Sequence, residues 1–415
     1  MIIKALLTSS LVLGLSPVFA QAILKITKVP ATTPASDTLF VAGSFNNWNP
    51  HNPRFALKKN ADGTYQISLP LSAGPAEYKF TRGSWAAVEV DDKNQQIANR
   101  KADLSSAREV THQVLAWDDQ SGAAAKPKVH TASPRVRVLA NSFVIPQLSR
   151  QRRVWVYLPA DYAQKPSQRY PVLYMHDGQN VFDDATSFGG EWGVDETLDK
   201  LRAAGQDATG AIVVAVDNGD QFRSDEYIPW PSAALKDQPH QGGQGDPYVD
   251  FLAQTLKPYV DSHYRTQPDA AHTGIAGSSL GGLISVYAAL KYPKVFGEVG
   301  VFSPAFWVCN DSLLTYAKTH KAASTARFYF VCGPKESETM LPLMKAWRDE
   351  LRAQGVPAAN LAFSAPADGQ HREWFWRREF PVAYKFMFSP TAKTKASARK
   401  ATPSKAASHK AGLSK

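Results

Sequence analysis

The chain has 415 residues, 47 Lys and Arg against 37 Asp and Glu, and only two cysteines, a length that suggests two or three domains. Its net charge of +10 resembles a nucleic-acid or membrane signal, but seven of those charges sit in the last 25 residues, which leaves about +3 for everything before them. There is no internal repeat, phosphate loop or dinucleotide fingerprint, and beyond the first twenty residues no stretch is long and apolar enough to span a bilayer.

Residues 1–20 read as an export leader. Lys4 provides the positive end, "ALLTSSLVLGL" the apolar core, and "PVFA" a small-residue cleavage site after Ala20. An uncleaved anchor is the alternative. No cysteine follows the apolar run, which argues against a lipoprotein. The expected mature protein is periplasmic or secreted, with no stable membrane insertion.

Residues 22–118 carry short strand signals broken by turns, as in "DTLFVAGSFNNWNP" and "GTYQISLPLSAGPAEYKFTRGSW". That spacing predicts an all-β, immunoglobulin-like sandwich. A small, polar, Pro-containing linker over 119–135 follows. From 136 to 390 the pattern changes. After the paired strands "RVRVLANSFVI" and "RRVWVYLPADY", strands over 211–217, 272–276, 298–303, 327–332 and 360–365 alternate with helices over 247–263, 280–292, 340–354 and 373–387. Such alternation predicts an α/β fold with a mostly parallel sheet covered on both faces. The tail, 391–415, is rich in Ala, Lys and Ser, without acids or an apolar face, and is expected to be disordered. Adhesion to an anionic envelope is its alternative use.

Within the second region, "HTGIAGSSLGGLISVYAALKYP" places Gly277-Ser278-Ser279-Leu280-Gly281 between a short apolar strand and an apolar helix. G-x-S-x-G in a strand–turn–helix context presents its central serine as a nucleophile, so Ser279 is the candidate and Ser278 faces elsewhere. A serine needs a base and the base an orienting acid, and in this fold the order is Ser, acid, His. Of the later histidines, His320 lies in a polar helical stretch and His409 in the tail. His371, in "APADGQHREWFW" after the last strand, is the candidate base. Glu336, the first of two glutamates in the loop after "RFYFVCGP", is the candidate acid, with Glu338 and Asp368 in reserve. The oxyanion donors would be the amide of Leu280 and that of Gln179, where "YPVLYMHDGQN" breaks at Gly178. His176 and Asp177 lack a second ligand cluster, so no metal and no cofactor are expected. Trp192, Arg223, Tyr227, Trp230, Phe306, Trp307 and Trp374 are pocket candidates, each also a natural core residue; for Arg223 a pair with Glu226 is the plainer expectation. Cys309 and Cys332, outside the cytoplasm, could form a disulfide or stay as buried thiols.

Residues 136–390 resemble the esterase D-like family of α/β-hydrolases, which includes feruloyl, acetylxylan and ferric-siderophore esterases and S-formylglutathione hydrolases. The resemblance rests on "VLYMHDGQNVFD", "GEWGVDETLDKL", "VAVDNGDQFRSDEYIPW", "GSSLGGL", "VFSPAFW" and "DGQHREWFW". It implies a Ser279, Glu336, His371 triad, although the family often has Asp where this chain has Glu336. It also implies an ester substrate, either an acyl ester of a carbohydrate or a siderophore, and no nucleic acid. An acyltransferase with the same triad, and a glycan-binding protein with an inactive hydrolase domain, are the rivals. The front region resembles starch- and glycogen-binding modules of the CBM48/CBM20 type through "GSFNNW", "YKF" and "GSW". That resemblance implies a glycan platform of Trp48, Lys79 and Trp85; a purely packing or substrate-shaping role is the plainer expectation.

Overall fold

The computed structural model describes residues 21–46, 48–70, 75–84, 87–93, 97, 99–106, 108–120, 129–187, 189–207, 209–236 and 240–388. The expected leader over 1–20, the tail over 391–415 and Trp85 lie outside them. The chain divides into two units, with the boundary between residues 127 and 128.

The first unit is built from β1 (Gln21–Lys28), β2 (Phe40–Gly43), β3 (Lys58–Lys59), β4 (Tyr65–Pro70), β5 (Pro75–Thr81), β6 (Glu89–Val90), β7 (Arg100–Asp103), β8 (Glu109–Gln113) and β9 (Ala116–Trp117). They form a four-stranded sheet in the order β3-β4-β1-β8, a three-stranded sheet β2-β5-β7 and the pair β6-β9. Alternation makes the core: Ala22, Leu24 and Ile26 of β1 and Tyr65, Ile67 and Leu69 of β4 turn inward, meeting Val41, Tyr78, Phe80 and Trp117. This fits the expected sandwich.

The second unit holds one eight-stranded sheet. Its strands are β10 (Val136–Ile145), β11 (Arg150–Tyr157), β12 (Val172–Met175), β13 (Ile212–Val216), β14 (Thr273–Ser278), β15 (Glu298–Phe302), β16 (Arg327–Val331) and β17 (Leu361–Ser364). Their spatial order is β10-β11-β13-β12-β14-β15-β16-β17. Only the β10–β11 and β11–β13 pairs are antiparallel. The helices are α1 (Val194–Ala203), α2 (Arg223–Tyr227), α3 (Gly245–Asp250), α4 (Lys257–His263), α5 (Leu280–Lys291), α6 (Asn310–Thr319), α7 (Met340–Ala353) and α8 (Glu373–Phe388). A π-helical stretch over Phe251–Leu256 joins α3 to α4, giving the single helix expected over 247–263. The central strands are buried on both faces, which is why they read as unbroken apolar runs. Ile212, Val214 and Val216 of β13 face the core that includes Leu283 of α5 and Trp347 of α7, while Val213 and Ala215 face the one that includes Leu198 of α1 and Phe380 of α8.

The linker is shorter than expected. Residues 129–135 already belong to the second unit, bound to carboxylates around α1. His130 and the Thr131 amide bond to Asp183, the Thr131 hydroxyl donates to Glu191, the Ser133 amide to Asp195 and Arg135 to Asp199. Polar residues that read as a spacer are anchored by acids 52 to 64 positions away, which composition alone does not reveal.

Candidate active site

Ser279 stands between β14 and α5 with φ 58° and ψ −120°, a strained conformation that a non-glycine residue adopts only when its surroundings hold it there. They do: the Ser279 amide donates to the Phe302 carbonyl at 2.9 Å, and the Ser279 carbonyl accepts from the Ala305 amide at 3.0 Å. A Cβ on Gly277 would lie 3.0 Å from the backbone of Gly281 and from the His176 ring, so the turn closes only with glycine there. Leu280 opens α5, leaving its amide without an intrahelical acceptor.

The loops of the candidate acid and base meet in a close backbone contact. Gly333 follows β16 and Gly369 follows β17; a Cβ on Gly369 would lie 2.6 Å from Gly333 Cα and 2.7 Å from the Phe375 ring. With both glycines bare, His371 Nδ1 donates to Glu336 Oε2 at 2.8 Å. The Glu336 side chain has no solvent exposure, against 39% for His371. Its other oxygen, Oε1, accepts from the Ser303 hydroxyl at 2.9 Å and from the Gly333 amide. Ser303 in turn accepts from Trp376 Nε1 at 2.9 Å, and the Trp376 ring meets His371 edge-on at 5.2 Å. The reserve acids are elsewhere: Glu338 is exposed, and Asp368 is paired with Arg378.

Sequence reasoning missed Ser303 and Trp376, which hold the carboxylate from behind. A signal existed for each: Ser303 sits in "VFSPAFW" directly after a strand, and Trp376 lies five residues beyond His371.

The loop after β12 carries Asp177 in the left-handed region (φ 55°, ψ 48°), then Gly178 and Gln179 in a short 3₁₀ turn. His176 and Asp177 are both buried. His176 Nδ1 is hydrogen-bonded to the Tyr248 hydroxyl at 2.9 Å, and burial pushes its pKa down to about 4. Burial alone would raise the Asp177 carboxyl, but the Arg223 charge and hydrogen bonds from Arg223 and Asn218 hold it below the usual carboxylate range.

Several pocket candidates turn out otherwise. Trp192 is 3% exposed, packed on Phe302, Trp376 and Phe380, and Tyr227 and Phe306 are wholly buried; their size and apolarity are spent in the core. Arg223 does not pair with Glu226. It forks onto Asp177, while Glu226 is taken by Arg150 and Arg152 of β11, strand residues that sequence distance hides. Trp230 is half-buried against Tyr287 and Tyr316. Trp307 and Trp374 remain 40% and 42% exposed. A cavity of about 480 Å³ beside the start of α8 is lined by Trp374, Arg377, Glu191, Glu196 and Gly190 among others. Of the two alternatives for the cysteines, the disulfide is not formed: Cys309 and Cys332 are free, buried thiols of one apolar core, pushed up to about 12 by burial. In the first unit, Lys79 is buried and donates to the Ile97 carbonyl at 2.6 Å, and Trp48 is half-buried with φ 58°.

An eight-stranded, mostly parallel sheet with helices on both faces and a serine on a sharp strand-to-helix turn defines an α/β-hydrolase. Residues 145–387 match the model of the family described as "Putative esterase". The chain belongs to that family and is a carboxylic ester hydrolase. It is similar to the uncharacterised protein YbbA of Bacillus subtilis, 27% identical over 251 residues, which cover 59% of this chain and 95% of that one. It is also similar to a siderophore enterobactin esterase of Emericella nidulans, 27% identical over 160 residues, 35% of this chain and half of the relative. An endo-1,4-beta-xylanase/feruloyl esterase of Xylanibacter ruminicola is 23% identical over 298 residues, 71% of this chain and a third of the relative. In fold, the BES protein of Bacillus cereus superposes with a TM-score of 0.50 at 18% identity, covering 61% of this chain and 95% of that one.

Proposed function

We propose that the protein is an exported serine esterase that acts through an acyl-enzyme on Ser279, on an acyl ester of a carbohydrate of the feruloyl or acetyl type. The observation that carries the mechanism is the fully buried Glu336 carboxylate bonded to His371 Nδ1. In the neutral imidazole that bond holds the proton on Nδ1, so Nε2 is the nitrogen that accepts a proton. His371 takes the Ser279 proton as the oxygen attacks the ester carbonyl. The amides of Leu280 and Gln179 receive the oxyanion, and His371 returns the proton to the leaving alcohol. A water, activated by the same imidazole, then releases the acid and restores Ser279. This scheme needs no cofactor.

The carbohydrate reading draws on the feruloyl esterase relative and on the cavity beside α8, where the part-exposed Trp374 stands with carboxylates and guanidinium groups, the groups that suit sugar C–H surfaces and hydroxyls. A ferric-siderophore ester is the second reading, favoured by the Emericella relative. Export draws on the leader pattern; among the described residues no helix is long and apolar enough to cross a membrane. For the first unit we favour a structural role, because the buried Lys79 ammonium is committed to a backbone carbonyl.

The test compares the mature protein with Ser279→Ala on p-nitrophenyl acetate, methyl ferulate, acetylated xylan and a ferric catecholate trilactone. Turnover that vanishes in the variant supports the acyl-enzyme, and the preferred substrate selects between the readings. A folded wild type inactive on all four refutes both.

A further inference from the structure

On its Asp177 side, the loop that presents the Gln179 amide is held by residues 218–227. The Asp177 carboxylate receives Arg223 Nε at 2.6 Å and Nη2 at 2.8 Å, a bidentate fork, and Asn218 Nδ2 at 2.7 Å. The Asp177 amide donates to the Tyr227 hydroxyl at 3.1 Å. The Asn218 amide donates to the Gln179 side-chain oxygen at 3.2 Å. Asn218 thus bonds to the residues on either side of Gly178, and Arg223 grips the one residue of the loop whose backbone is in the left-handed region. A non-glycine residue stays in that region only if its surroundings over-determine it.

The same carboxylate stands close to the chemistry. Asp177 Oδ2 lies 3.5 Å from where a Gly281 Cβ would be, against the first turn of α5 and one residue beyond the Leu280 amide. A bare carboxylate there would repel the oxyanion that forms on the substrate; the guanidinium cancels it.

We propose that Arg223 and Asn218 are positioning residues for the oxyanion site: they lock the Asp177 turn so that the Gln179 amide is aimed before substrate arrives, and Arg223 neutralises the carboxylate beside it. This rests on the assignment of Ser279 as nucleophile and Gln179 as donor. A group that aims an oxyanion donor acts on the tetrahedral state and hardly on ground-state binding.

The experiment uses the full chain with Asn218→Ala, Arg223→Met and Arg223→Lys, measuring kcat and KM on p-nitrophenyl acetate and the affinity for phenylboronic acid, which forms a tetrahedral adduct with a reactive serine. Arg223→Met should lower kcat by about 10²-fold and Asn218→Ala by about 10-fold, with KM within about twofold. Boronate affinity should fall in step. Arg223→Lys should recover part of the loss, since an ammonium restores the charge and not the fork. If Arg223→Met does not fold, Asn218→Ala carries the test, because it leaves the ion pair intact. Wild-type kcat and boronate affinity in Asn218→Ala, or a rise in KM alone in the Arg223 variants, overturns the inference. Ser279→Ala is run alongside: turnover surviving there sinks the acyl-enzyme reading itself, whereas turnover lost there and untouched in Asn218→Ala sinks only the positioning role.

Discussion

Replacing Glu336 by Gln changes one group and preserves its shape, and the structure dictates how the new amide must sit. The Oε1 position receives two donors, the Ser303 hydroxyl and the Gly333 amide, so the carbonyl oxygen of the introduced side chain belongs there. Its NH₂ group then faces His371 Nδ1, 2.8 Å away. Two donors cannot share that bond, so the imidazole moves its proton to Nε2, the nitrogen that must receive the serine proton. Turnover should fall by about 10³–10⁴-fold with KM little changed, as expected when an imidazole is held in the wrong tautomer. The packing survives, so the stability loss should stay within about 1–2 kcal/mol. Steady-state hydrolysis of p-nitrophenyl acetate and a thermal melt measure both. Glu338→Gln and Asp368→Asn serve as comparisons and should keep kcat within about twofold, since neither carboxylate reaches His371. A Glu336→Gln enzyme within about tenfold of wild type, or a large loss in either comparison variant, would refute the assignment.

Three further outcomes are expected. Gly369→Ala puts a Cβ 2.6 Å from Gly333 Cα, forcing the acid and base loops apart; kcat should drop by about 10²-fold with a stability loss of about 1–3 kcal/mol, and an unchanged kcat would show that the loop contact does not align the pair. Burial, followed by the charge of Asp195, pushes the Glu196 carboxyl up to about 7 from its ordinary value of 4.5. With the folded value above the unfolded one, this contribution is whole below about pH 4.5 and is lost as pH rises through about 7. The melting temperature should decline across that window, and Glu196→Gln should flatten the decline; parallel wild-type and variant profiles would contradict it. Both cysteines should resist a thiol reagent in the native state and titrate as two free thiols in denaturant without reductant; a denatured chain with no titratable thiol would show the pairing instead.

Local pattern was enough for the parts of this protein whose signal is short in range. The apolar runs that became β12, β13 and β15 are unbroken because both sheet faces are covered, and the glycines around Ser279 are there because a Cβ at Gly277 meets Gly281 four residues on. Ser279, Glu336 and His371 could be picked out as candidates in chain order because each follows a strand and lies in the loop at its end, and the structure brings the Glu336 and His371 side chains together. What depended on distance could not be read. Arg223 has an acid three residues away, and the expectation of a local pair was wrong because Asp177, 46 positions upstream, lies nearer in the folded chain. Trp192 and Tyr227 carry the same aromatic signal as Trp307 and Trp374, yet the first two are buried and the second two exposed; an aromatic side chain favours removal from water without specifying whether core or ligand removes it. The two cysteines follow the same logic, since pairing depends on geometry that spacing does not contain. The order of elements and the candidate reacting groups were legible in the chain, because periodicity and turn chemistry act over a few residues. Which charges pair, which rings are core, how Ser303, backed by Trp376, reaches Glu336 and how Asn218 and Arg223 reach Asp177 were set by folding in three dimensions, because those contacts join residues that only the folded sheet brings together.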